Sequence, residues 1–144
     1  MTHRLVEHTA DIAIEAEGND EGEALAEAAI ALAEVITGEA DIHALQGART
    51  QFNLRVEAPD HCALAVAFLA ELVWHLESVG LLWVGGGIVV APTSDGLAAI
   101  ASGNALRYDP VQHGHGVEVK AITYHEIQSK RQNGGWFLRV ILDL

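Results

Sequence analysis

Two aspartates, Asp11 and Asp143, stand near opposite ends of this 144-residue chain, each beside an apolar strand-like segment. Asp11 closes His8-Thr9-Ala10-Asp11, just ahead of a run in which Ile12, Ile14 and Ala16 alternate with Ala13, Glu15 and Glu17. Taken alone, an aspartate before a strand is an ordinary turn residue whose carboxylate bonds nearby backbone N–H groups. Asp143 follows Val140-Ile141-Leu142, and counting by two puts it on the face of Arg139 and Ile141. The α-carboxylate of Leu144 lies one residue further on. Two negative groups so close repel unless a cation or a basic side chain neutralises them. Hard carboxylate oxygens suit Ca²⁺, Mg²⁺ or Mn²⁺ rather than zinc. The simpler reading is a solvated chain end paired loosely with Arg139.

Other reactive residue types form weaker patterns. Lys120 and Tyr124 are four apart in a strand-like segment, so both project from one face with His125 on the other; the plain reading is a solvated edge. His113-Gly114-His115 offers two imidazoles, but no third ligand at a recognised zinc spacing accompanies them, and the glycines argue for a loop. Gly85-Gly86-Gly87 leads into Ile88-Val89-Val90 and not into a helix, which argues for a bend and against a phosphate cradle. Cys62 falls at a helix start, where the dipole favours thiolate, yet nothing in the sequence supplies a histidine partner. No serine sits in a nucleophile elbow. Nucleophilic catalysis has no positive support.

The elements that must position these residues can be read from periodicity. Asp20 and Glu23 resemble a capping box ahead of Leu25, Ala28, Ala29, Leu32 and Ile36, with Gly38 as the stop: a first helix, rich in alanine. Phe52, Leu54 and Val56 alternate as a strand. Asp60 caps a second helix carrying Leu64, Ala65, Phe68, Leu69, Leu72, Val73 and Leu76 and ending before Gly80. Its few charges mark it as the most buried helix. Strands follow over residues 81–91 and 97–101, then a loop over 103–116, a long strand through Val117 to Tyr124, a hairpin turn at Asn133-Gly134-Gly135 and a closing strand from Trp136 to Leu142. The order predicts an α+β fold of one domain over residues 1–144, two helices packed on a mostly antiparallel β-sheet.

Composition narrows the functional classes. Twenty acidic residues against eight basic ones give a net charge of -12, poorly suited to gripping a phosphate backbone, which needs Lys and Arg. A basic protein partner or a cation fits better, although the simplest reading of the charge excess by itself is solubility. A single cysteine excludes an internal disulfide. Neither an uninterrupted apolar run of membrane-spanning length nor a signal-peptide pattern appears, so the expected setting is cytoplasmic, with no membrane association.

Three segments then acquire weight together: Val6-Glu7-His8-Thr9-Ala10-Asp11-Ile12, Val119-Lys120-Ala121-Ile122-Thr123-Tyr124-His125, and Gly134-Gly135-Trp136 through Leu142-Asp143-Leu144. In this order and spacing the chain resembles the archease family over essentially its whole length. The resemblance implies an archease-like fold in which Asp11 and Asp143 meet and bind a divalent cation, calcium foremost with magnesium or manganese as alternatives. The terminal carboxylate of Leu144 is implied as a further ligand. His8, Lys120, Tyr124 and His125 match other motif positions. The implied role is non-catalytic: activation of an RtcB-type RNA ligase in tRNA splicing and RNA repair, by promoting its guanylylation and multiple turnover. That ligase joins 2′,3′-cyclic phosphate or 3′-phosphate ends to 5′-hydroxyl ends. The chain departs from the family pattern at Ala67, Phe68 and Ala70, where Asp, Trp and Asn are frequent, and at Gly85-Gly86-Gly87. Two other readings stand beside this one: a chaperone or assembly module that needs no metal, and a metal-dependent hydrolase with His8 and His125 as its acid and base.

Overall fold

The computed structural model of the chain describes residues 1–8 and 11–144, with side chains for all of these except 6–8. Strand β1 (Thr2–His8) pairs antiparallel with β2 (Asp11–Gly18). Helix α1 (Glu21–Thr37) begins where the Asp20 carboxylate accepts the Glu23 N–H at 2.9 Å and the Glu23 carboxylate accepts the Asn19 N–H at 2.6 Å. It stops at Gly38, whose φ of 74° a side chain would resist. After a short 3-10 turn (Ile42–Ala44) come β3 (Arg49–Ala58) and α2 (His61–Val79), capped by Asp60 and ended by Gly80. Strands β4 (Leu81–Pro92) and β5 (Leu97–Arg107), a one-turn helix α3 (Pro110–His113), and β6 (Ala121–Gln132) and β7 (Gly135–Asp143) complete the chain.

All pairings are antiparallel, in two sheets: β1-β2-β7-β6 and β3-β5-β4. Helix α1 packs on both, touching β1, β2, β7 and β4, while α2 lies against β6, β3 and β4. Ile12, Ile14 and Ala16 of β2 and Leu138, Val140 and Leu142 of β7 turn one face of the larger sheet into a core shared with Leu25, Leu32, Phe68 and Leu69 of the helices. The alternate residues, Asp11, Ala13 and Glu15 with Arg139, Ile141 and Asp143, therefore line the opposite face.

The α+β expectation of helices on antiparallel sheet holds, and several details differ: the one expected sheet is two, and the strand expected from Val117 to Tyr124 begins only at Ala121 and runs to Gln132. β1 has no clear mark in the sequence. β5 runs on to Arg107, and α3 occupies part of the predicted loop. By length and composition α2 could cross a membrane, at a mean hydropathy of 1.6, but Glu71 and Glu77 interrupt it and Leu64, Phe68 and Leu69 lie in the core. Finally, α1 is the more buried helix, not α2, whose Trp74 and Val79 are exposed. Alanine explains this: Ala24, Ala28, Ala31 and Ala33 carry little apolar bulk but let α1 sit between the sheets with almost no exposure. The triple glycine is the predicted bend, with a register shift between Trp83 and Gly85. A Cβ on Gly103, facing it, would lie 2.2 Å from the Gly85 carbonyl oxygen.

Edge strand β1 is tied to α1 by His3. Its Nδ1 lies 2.7 Å from the Glu27 carboxylate and its Nε2 3.1 Å from both Glu34 oxygens. Only the imidazolium can donate from both nitrogens. Burial pushes the His3 pKa down, but the bonds and charges of Glu27 and Glu34 outweigh it and leave the pKa above its ordinary value of 6.5. A raised folded-state pKa stabilises the fold fully below the unfolded value and ceases to do so as pH rises through the folded one. The melting temperature of the wild type should therefore fall towards that of His3→Gln as pH is raised from 6.5 upward; parallel pH profiles for the two proteins would refute the imidazolium clamp.

Candidate functional site

The β2–β7 register sets Asp11 directly opposite Asp143. Asp143 in turn faces Ala121 of β6, and Asp11 faces His8 of β1, so one row of residues crosses all four strands at the end of the larger sheet. Side chains directly opposite in antiparallel strands have Cβ atoms about 4.5–5.5 Å apart, and like charges there are destabilising. The two carboxylates differ in setting: Asp143 is exposed, whereas Asp11 Oδ1 is buried and has no hydrogen-bond partner among the described residues. An orphaned carboxylate oxygen beside a second carboxylate lacks the compensation that buried charge requires.

Arg139, the cation that the sequence offers to Asp143, is engaged elsewhere. It lies opposite Glu15 and donates through Nη1 to Glu15 Oε2 at 2.7 Å. Arg4 of β1 bonds the other Glu15 oxygen. Burial raises the Glu15 pKa, but the two guanidinium groups overcome it and hold the carboxyl below the usual glutamate value. Row by row, then, the outer face carries a neutralised carboxylate at Glu15, the buried apolar pair Ala13 and Ile141, and the aspartate pair with no ion-pair partner among the described residues. A hard divalent cation fits this oxygen donor set. Among the described residues no group of three or more His, Cys, Asp or Glu side chains is arranged to hold a metal ion, so the aspartates form at most part of a shell.

The remaining candidates are distributed around this row. The side chain of His8 lies outside the described residues. Lys120 precedes β6; its N–H donates to the Asp143 carbonyl at 2.8 Å and its side chain is exposed. Leu144 packs its side chain against the core, anchoring the chain beside Asp143. Tyr124 and His125 fall in a break of the β6–β7 register between Thr123 and Gln128, so the regular alternation that would set Lys120 and Tyr124 on one face does not apply. His113 is buried: its Nδ1 accepts the Asp109 N–H at 3.0 Å and its Nε2 donates to the Gln46 carbonyl at 2.6 Å. It pins two loops together and has no nitrogen left for a metal. His115 is exposed, and Cys62 is a half-buried free thiol.

Sequence reasoning missed two features. One is the Arg4–Glu15–Arg139 chain, readable only once register is known. The other is Glu21, buried at the start of α1, with both carboxylate oxygens 2.8 Å from His61 Nδ1 at the start of α2. Burial raises the Glu21 pKa, and the bond to His61 offsets part of that rise. The pair lines a cleft of about 340 Å³ with Trp136. Spacing from the Asp20 and Asp60 caps could have revealed that both residues start helices, but not that they meet.

Comparison with known proteins places the chain clearly. A model of the Archease protein family matches residues 3–144. Protein archease of Pyrococcus furiosus is 34% identical over 141 residues, covering 96% of this chain and 95% of the relative. Protein archease of Methanopyrus kandleri is 30% identical over 144 residues and the full length of both. Among solved structures, Methanobacterium thermoautotrophicum protein 1598 superposes with a TM-score of 0.75 at 26% identity, covering 99% of this chain and 98% of that one. An archease from Thermotoga maritima, described as a possible chaperone, shares the fold with a TM-score of 0.59 at 22% identity, covering 98% and 96%.

The juxtaposed aspartates make a prediction that holds without any partner. In the presence of a chelator, Asp11→Asn removes one of two facing charges and should raise stability by about 0.5–1 kcal/mol. A loss of stability in chemical denaturation would mean that the Asp11 charge is already compensated.

Proposed function

Since the chain belongs to the archease family, we propose that it is a metal-binding accessory protein that activates a GTP-dependent RtcB-type RNA ligase, promoting its guanylylation and repeated turnover without catalysis of its own. The observation that carries this reading is the cross-strand pair Asp11–Asp143, with one buried oxygen unpartnered among the described residues. Asp11, Asp143 and the α-carboxylate of Leu144 would hold a divalent cation, calcium or, in the cell, magnesium or manganese. When bound, such a cation supplies positive charge for a triphosphate and its leaving group.

The residues themselves divide the work. Asp11 fixes one carboxylate inside the sheet, and exposed Asp143 offers the other to the partner. The Lys120 N–H holds the Asp143 backbone. Arg139, committed to Glu15, leaves Asp143 free of a guanidinium that would compete with a metal. A net charge of -12 suits insertion into a basic, phosphate-binding cleft and opposes direct high-affinity contact with RNA. The setting is cytoplasmic, with no membrane involved.

A second reading is a chaperone or assembly module that needs no metal. It is favoured by the lack of a third side-chain ligand among the described residues, and by the description of the Thermotoga maritima archease as a possible chaperone. The two readings separate in an assay of GTP-dependent guanylylation of the cognate ligase under limiting divalent metal. Wild type should stimulate it, whereas Asp11→Ala and Asp143→Ala should cut stimulation by about tenfold or more while remaining folded. Full stimulation by both variants favours the metal-free reading; none by wild type removes the ligase.

A further inference from the structure

The break in the β6–β7 register is larger than an ordinary bulge. Thr123 pairs with Ile141 and Gln128 with Arg139, so the four residues 124–127 face the single residue Val140. Such insertions bend a strand and recur next to functional sites. Within this one, Glu126 takes a φ of 51°, a left-handed conformation that a non-glycine residue adopts only under constraint.

The constraint is visible at both ends. Thr123 Oγ1 donates to the Ile141 carbonyl at 3.0 Å and accepts the His125 N–H at 3.3 Å. At the other end Ile127 packs against the core, and Arg139 Nη2 lies 3.8 Å from the Glu126 carboxylate while its Nη1 holds Glu15. What this pinned segment presents to solvent is a large aromatic, Tyr124 at 60% exposure, and an imidazole, His125, whose side chain is 72% exposed. Holding a tyrosine outward on an ordered, strained segment gains nothing for the fold, whereas rigid tyrosines are favoured anchors in interfaces. Position adds to this. Thr123 and Ile141 form the pair next to Ala121 and Asp143 on the same sheet face, so the knuckle rises beside the aspartate pair.

We propose that residues 124–127 form a rigid docking knuckle, held by Thr123 and Arg139, through which Tyr124 and His125 grip the rim of a basic cleft on the partner protein. The occupant follows from charge. Exposed Glu126 within the knuckle and exposed Asp143 beside it lie on a chain of net charge -12, so a second copy would meet like charge while a cationic cleft would meet its complement. The knuckle supplies affinity and the aspartates supply the cation site, which makes the two functions separable. The assignment of the partner rests on the ligase reading above.

The test measures the affinity of the cognate ligase for wild type, Tyr124→Ala/His125→Ala and Asp143→Asn, with the calcium-induced shift in melting temperature and the stimulation at saturating protein. The exposed double variant should fold normally, keep the calcium-induced shift, bind the ligase about tenfold or more weakly, and recover stimulation at saturation. Asp143→Asn should show the reverse, losing the calcium-induced shift and the stimulation while binding within about threefold of wild type. Wild-type affinity in the double variant overturns the knuckle and leaves the ligase reading standing. Failure of wild type to bind the ligase at all overturns both. A wild-type dimer that the double variant abolishes overturns the assignment in favour of self-association.

Discussion

Two carboxylates face each other across adjacent strands, and the surrounding structure is arranged around that repulsion. The register of β2 on β7 makes it unavoidable, because a slip of one residue by either strand would turn its own buried set, Ile12 and Ile14 or Val140 and Leu142, out of the core. The hydrophobic pattern therefore enforces an electrostatically unfavourable contact. Four residues along the same face, the equivalent problem at Glu15 is solved by Arg4 and Arg139. Among the described residues no such solution is present at Asp11 and Asp143, and the proposed cation is what would balance that pair.

Much of this was legible in the sequence. The aspartate caps at Asp20 and Asp60 and the glycine stops at Gly38 and Gly80 delimit both long helices, because the side-chain and backbone chemistry of a helix end is local. Asn133 and Gly134, with φ of 52° and 77°, form the tight turn between β6 and β7 that their residue types announce. Motif resemblance singled out Asp11 and Asp143, which the register then brings side by side. The cation itself belongs to the proposal and not to the fold.

What the sequence hid is non-local. Nothing in Arg139 or Glu15 reveals that they pair across 124 positions, so Arg139 reads as a partner for the nearby Asp143. The division into two sheets depends on which face α1 can occupy, and its alanines look like weak hydrophobes until two sheets close over them. The knuckle was invisible because Glu126 adopts its left-handed conformation without a glycine to signal it. Period-two counting through Lys120, Tyr124 and His125 assumes a continuous strand, and the register shift after Thr123 removes that assumption.

The proposed cation site would be completed from solution by one divalent ion between the paired aspartates. Calorimetric titration of the chelator-treated protein with calcium, alongside its Asp143→Asn form, tests it most directly. The account predicts saturable binding at one ion per chain that the variant loses. Equal heats from the two proteins, or none from wild type, would contradict it.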